Sequence, residues 1–140
     1  MTWIAEREVS INAIGSYLKS QGVSHSIDED GDIYVSDQEL GFPFWLYIDR
    51  SYKVLVFSTF ISFGTFERAE AALDEALRVR LGPITPRFFL NENELHAQFF
   101  MSFRDGVVGT HIYDAACRFS EYFVHARGKG LNAEERRGLH

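Results

Sequence analysis

Hydrophobic residues change their spacing several times along this chain, and the order of those changes predicts an architecture. Over residues 6–21, Ile11, Ile14 and Leu18 recur at helical spacing, and Gly22 stands where a left-handed C-terminal cap belongs. Two strand-like runs, 25–30 and 32–36, then flank the turn Asp28-Glu29-Asp30-Gly31-Asp32, so a hairpin is expected. Residues 42–48 alternate, with Phe42, Phe44, Leu46 and Ile48 on one face and Trp45 and Tyr47 on the other. Pro43 cannot donate to a ladder and favours a strand start or edge. Residues 53–63 carry Leu55, Phe57, Thr59, Ile61 and Phe63 on one face, and Val54, Val56, Ser58, Phe60 and Ser62 on the other.

Thr65 suits the N-cap of a second helix through residue 81, whose inward side is expected to hold Phe66, Ala69, Leu73, Ala76, Leu77 and Arg80. Gly82-Pro83 is expected to end it. A second hairpin follows over 87–90 and 94–104, its long arm alternating Leu95, Ala97, Phe99, Met101 and Phe103 with a mostly wet face. Thr110 then caps a third helix to residue 126, with Ile112, Ala116, Phe119 and Phe123 as its stripe. The order α-β-β-β-β-α-β-β-α predicts an α+β domain with a mainly antiparallel sheet of five or six strands and helices packed on it. Residues 1–127 form one domain in this view, and 128–140 a polar, flexible tail.

A length of 140 residues suffices for a core without disulfides or metal staples. The single cysteine, Cys117, excludes an internal disulfide and fits a reducing compartment. Its neighbours Ala115 and Ala116 suggest a small packed residue. The net charge of −6 removes the electrostatic footing for a phosphate backbone, so no nucleic-acid partner is expected. The N-terminus lacks a signal-peptide pattern and no apolar run approaches a membrane span, so a cytoplasmic protein without membrane association is expected.

Helix 1 ending in glycine, the acidic Asp28–Asp32 hairpin, the long apolar strand leading into an alanine-rich helix, the second hairpin and the closing helix together resemble the YbjN family. Its members are provisionally described as bacterial sensory transduction regulators sharing the fold of type III secretion chaperones. The likeness spans residues 6–126. Two departures stand out: Leu77-Arg78-Val79-Arg80-Leu81-Gly82 lacks the asparagine-bearing pattern of many members, and Pro83 and Pro86 lengthen the next connection. The resemblance implies protein interaction or regulation, no catalytic residues and, by likeness to small acidic secretion chaperones, a homodimer able to hold an extended client segment.

No catalytic constellation assembles along the chain. The run Ser26 to Asp37 imitates a calcium loop at a few positions, yet it begins with Ser, ends in Asp rather than a bidentate Glu, and is flanked by strands instead of helices. The five histidines, His25, His96, His111, His125 and His140, show no metal-ligand spacing. Carboxylate pairs occur at Asp28 with Asp30 or Asp32, on a turn, and at Glu70 with Asp74, on a helix face expected to be solvated. No phosphate-binding glycine loop, metal or cofactor is expected.

The aromatic content changes the picture. With 13 Phe, 6 Tyr and 2 Trp, rings fall on both strand faces, and Trp45, Tyr47, Phe60 and Phe100 lie opposite the presumed core stripe. Either helices cover the sheet on both sides, or these four residues form a surface for a dimer or client. The expected function is a non-enzymatic protein-binding or regulatory module, with strand addition at a sheet edge as one mode. The alternative is a sensor for a small apolar ligand in a ring-lined pocket.

Overall fold

Ser10, rather than Glu6, opens the first helix. Its extended backbone and side-chain oxygen, which accepts from the Ala13 N–H at 3.0 Å, start α1 at Ile11–Ser20. The expected start at residue 6 is thus corrected. Glu6–Glu8 makes one 3-10 turn, held by Lys53 Nζ donating to Glu6 at 2.6 Å and by Arg50 donating to the Val9 carbonyl at 2.8 Å. These long-range ties set the direction of a segment whose local pattern alone reads as helix. At the other end Gly22 takes φ +76, as its capping position requires.

The computed structural model describes residues 2–79 and 85–130. The second helix ends at Arg78, where Val79 is already extended at ψ 139, so the expected run to residue 81 is cut short; Gly82-Pro83, the expected inward Arg80 and the tail from residue 131 onward lie outside the described residues. The strands are β1 (Trp3–Ile4), β2 (His25–Ile27), β3 (Ile33–Val35), β4 (Phe44–Asp49), β5 (Val54–Ser62), β6 (Arg87–Asn91), β7 (Glu94–Ser102) and β8 (Val107–Val108), with α2 at Phe66–Arg78 and α3 at Gly109–Gly130. Six strands form one antiparallel sheet in the order β2-β3-β4-β5-β7-β6. The predicted element order holds, with one addition: β1 and β8 pair antiparallel as a small second sheet. Gly106, at φ +98, permits this because a Cβ there would collide with the Trp3 ring.

Turn chemistry sets the register. Asp28 Oδ1 accepts from the Asp30 and Asp32 N–H groups, each at 2.9 Å, and Gly31 supplies φ +82 for the β2–β3 turn. Glu92, at φ +55, turns β6 into β7 so that Asn91 faces Glu94 and Phe89 faces His96.

A single core lies between one face of the large sheet and the three helices. It joins Ile33, Val35, Phe44, Leu46, Leu55, Phe57, Leu95 and Ala97 from the strands to Ile14 and Leu18 of α1, to Ala69, Ala72 and Ala76 of α2, and to Ile112, Phe119 and Phe123 of α3. The alanines let α2 approach α3 closely. Phe44, Phe57 and Phe119 meet with centroids 5.5 to 6.0 Å apart, in tilted to edge-on pairs. Ser120, buried on α3, accepts from the Phe42 N–H at 2.6 Å and lies 2.8 Å from the Leu40 and Phe42 carbonyls, tying the β3–β4 connection to α3.

Two expectations about the helices are corrected. Phe66 and Leu77 do not face inward; they are 48% and 54% exposed. The buried stripe runs through Ala69, Ala72 and Ala76, and one 100° step beyond Ala76 carries Leu77 out to solvent. Helix α3 continues past residue 126 to Gly130, and Arg127 extends its packing by placing its guanidinium carbon 5.3 Å from the Phe42 ring centre.

Candidate functional site

Alternation along the strands decides what the second face of the large sheet carries. The inward apolar residues of the strands belong to or pack against the helix-covered core, so their neighbours must point the other way. Among the described residues no helix packs against that other face. Helices on both sides, one of the two arrangements open from sequence, are therefore not found. Val56 makes the separation plain: it is only 2% exposed yet stands outside the core cluster. In register it lies between Tyr47 of β4 and Phe100 of β7, whose rings shield it from opposite sides.

The rings on this face form a continuous row across five strands. Tyr34 of β3 meets Trp45 of β4 with centroids 5.0 Å apart. Trp45 stacks on Phe60 of β5 at 6.0 Å and 6°. Phe60 stacks on His96 of β7 at 5.3 Å and 19°, and His96 on Phe89 of β6 at 5.1 Å and 12°. Arg87 closes the row, its guanidinium carbon 5.3 Å from the Phe89 ring centre. A second, shorter row of Tyr47, Val56 and Phe100 runs alongside, with Ser58 and Gln98 paired on the floor between the two. Phe60 and Phe100 remain 45% and 48% exposed.

Polar groups on this face are mostly engaged with one another. His96 Nε2 lies 3.0 Å from Glu94 Oε1, and Ser62 donates to Glu94 Oε2 at 3.1 Å. Burial, and then the nearby Asp32 and Asp49 carboxylates, push the Tyr47 phenol above its ordinary pKa, so it stays protonated at neutral pH. The chemistry on offer is flat apolar contact and stacking, with no nucleophile, base and oxyanion donor set among these side chains.

All four residues singled out from sequence, Trp45, Tyr47, Phe60 and Phe100, thus share this face: Trp45 and Phe60 in the long row, Tyr47 and Phe100 in the short one. Tyr34, Phe89 and His96 complete the long row and were not among them. The hairpin register held the clue, since a two-residue turn after Asn91 places Phe89 opposite His96.

The remaining chemical candidates stay apart from these rings or are otherwise occupied. The Asp28, Asp30 and Asp32 carboxylates come within 4.8 Å of one another at the β2–β3 turn. Desolvation, then Asp28 and Asp30, raise the Asp32 pKa. Glu70 and Asp74 are exposed on α2, and His111 and His125 are exposed on α3. Cys117 is half-buried rather than packed in the core. It borders an open cleft of about 360 Å³ between Tyr113 and Glu121 of α3 and Asp37, Glu39 and Leu40 of the β3–β4 connection.

No protein-family model matches the chain, and no curated protein matches its sequence. Among solved structures, the crystal structure of YbjN from E. coli, provisionally described as a transcription regulator, matches with a TM-score of 0.61. The match covers 86% of this chain and 92% of that chain at 10% sequence identity. This chain has the YbjN fold. At that identity the likeness is one of architecture, and no side chain of the ring rows is inherited from it. In this chain β4 and β5 hold the two central positions of the sheet, and the long ring row crosses both. None of the described helices is long and apolar enough to cross a membrane.

Proposed function

We propose that the protein is a non-enzymatic, protein-binding regulatory module that engages its partner through the helix-free face of the large sheet. One observation carries this: the stacked row Tyr34, Trp45, Phe60, His96 and Phe89, with Phe60 left nearly half exposed. A contiguous, partly exposed aromatic surface of this kind marks an interaction site, because rings bring large contact area at low entropic cost. The regulator description attached to the structure of the same fold supports a regulatory role. The cytoplasm is the compartment that fits a chain with one half-buried free thiol.

A small-ligand sensor needs an enclosed, ring-lined cavity. The clefts of about 480 Å³ beside Ala71, Asp74, Leu77 and Arg78, and of about 360 Å³ beside Asp37, Glu39, Tyr113 and Cys117, open to the surface and carry no phenylalanine. A flat binding face is the better match.

Paired affinity capture tests the proposal. Full-length wild type, a Trp45→Ser/Phe60→Ser variant and a Leu77→Ser control on α2 are used as bait in native lysate, after circular dichroism has verified folding. A partner retained by wild type and control but lost by the ring variant supports the proposal. Equal capture by all three contradicts it.

A further inference from the structure

The ring row has a repeat, and the repeat is close to that of a helix. From Tyr34 through Trp45, Phe60 and His96 to Phe89, successive ring centres lie 5.0 to 6.0 Å apart. An α-helix laid along the row presents one residue per turn at ~5.4 Å, so successive turns stay in step with successive rings. An extended segment presents its same-face residues at ~6.6–6.8 Å and slips by about one ring over the same length. The backbone decides the same way. N–H and C=O groups of an extended chain lying over rings would find no partners, whereas a helix satisfies its own. Ser58 and Gln98, paired on the floor beside the row, offer a few side-chain bonds and no ladder.

Charge is uneven around the row. At its Tyr34 end, Asp32 and Asp49 share the open side with Tyr47 by strand alternation. Burial first, and then these two carboxylates, raise the Tyr47 phenol. Asp28 and Asp30 stand within 4.8 Å of Asp32. The cations of the adjoining β4–β5 turn are engaged elsewhere, Lys53 with Glu6 and Arg50 with the Val9 carbonyl. At the Phe89 end the charges are mixed: Arg87 lies over Phe89, Glu92 is exposed in the turn, and Glu94 is held by His96 and Ser62. A cation arriving at the Tyr34 end therefore meets crowded carboxylates, and it relieves the desolvation and like charge that disfavour ionised Asp32.

We infer, building on the protein-binding role proposed above, that the ring row receives an amphipathic helix of the partner, laid across the strands with one apolar residue per turn against the rings and lysine or arginine at the end over Asp32 and Asp49. A helix of ~16–18 residues, between four and five turns, covers the row from Tyr34 to Phe89. Apolar anchors at i, i+4, i+7 and i+11 give it contact area. The basic end fixes which way it lies, because reversing it would exchange the acidic corner for the mixed charges around Arg87.

Peptide selection on the full chain tests the inference. The probe is a phage-displayed library of random ~18-residue peptides, panned on immobilised wild type and then screened against the Trp45→Ser/Phe60→Ser variant, whose folding circular dichroism has verified. Peptides that need the rings should show helical apolar spacing with lysine or arginine clustered at one end. Made synthetically, they should gain helical circular dichroism on binding and lose affinity when proline is placed at their centre. Asp32→Asn/Asp49→Asn, which keeps the shape of both side chains, should weaken them about tenfold. Ring-dependent peptides that alternate with period two, or that bind this variant as tightly as wild type, overturn the inference and leave the protein-binding proposal standing. Peptides that bind the ring variant as well as wild type overturn both. An empty selection also overturns the inference; a wild-type dimer in light scattering that the ring variant lacks then assigns the face to a second copy.

Discussion

Replacing one ring on each side of the sheet separates a structural layer from a binding surface. Phe57 is fully buried, with Phe44, Phe99 and Phe119 centroids 5.8 to 6.0 Å away. Truncating it to Ala loses the transfer free energy of the ring and leaves a cavity that close-packed neighbours cannot fill, about 3–5 kcal/mol. Phe60 sits one pleat away but is 45% exposed, with only Trp45 and His96 stacked beside it. Roughly half of a ring's ~1.5–3 kcal/mol burial is at stake there, and Phe60→Thr keeps a β-branched residue in the strand. The expected loss is about 1 kcal/mol. For 140 residues an unfolding entropy of ~2.1 cal/mol/K per residue converts 1 kcal/mol into ~3 °C. Phe57→Ala should therefore lower Tm by ~10–15 °C and Phe60→Thr by ~3 °C. Urea and thermal unfolding followed by circular dichroism, at sub-micromolar protein so that association adds nothing, give both values. Comparable losses for the two variants would refute the reasoning, because Phe60 would then belong to a covered layer.

Other consequences are local. Ser120→Ala removes the partner of the Phe42 N–H in a buried site and should cost about 1–3 kcal/mol in urea unfolding, the penalty for an orphaned buried donor; no change would show that this tie is dispensable. Lys53, and next the Asp105 N–H, hold the Glu6 carboxyl below its ordinary pKa. Because the folded value is the lower one, the stabilisation is present above the unfolded glutamate pKa of ~4.3 and is lost as pH falls through the folded value. Wild type should exceed Glu6→Gln in stability at neutral pH and converge with it in acid; a constant difference across the titration would contradict the assignment. Burial pushes the Cys117 thiol up, so maleimide labelling at pH 8 should be slow in the native protein and accelerate on unfolding; labelling as fast as an unstructured thiol would place Cys117 in open solvent.

Much of the architecture was legible because period-2 alternation is unambiguous where strands are long. The β4 pattern of Phe44, Leu46 and Ile48 against Trp45 and Tyr47 assigned both faces correctly, and so did β5 and β7. Alternation says that two faces differ; it does not say how many layers cover them. That is why the sheet's open side emerged only from the packing of all three helices on one face. The β1–β8 pair escaped notice because two-residue strands have no period and their partners, Trp3 and Val108, are far apart in sequence. In α2, large residues at Phe66 and Leu77 drew the expected stripe off its true course, which small alanines define because α3 packs so near. The candidate face was half legible: alternation put Trp45, Tyr47, Phe60 and Phe100 on one side of the sheet, while Tyr34, Phe89 and His96 join them only through cross-strand register.

The measurement closest to the central claim uses Trp45 as its own reporter. The chain has two tryptophans, so Trp3→Phe leaves Trp45 as the sole indole emitter, at the middle of the proposed surface. Acrylamide quenching is compared at nanomolar protein, where the face is free, and with the captured partner added. Coverage of the ring row predicts a blue-shifted, several-fold less quenchable Trp45 in the associated state. Unchanged emission and quenching while the protein is demonstrably bound would place the interaction elsewhere and contradict the account.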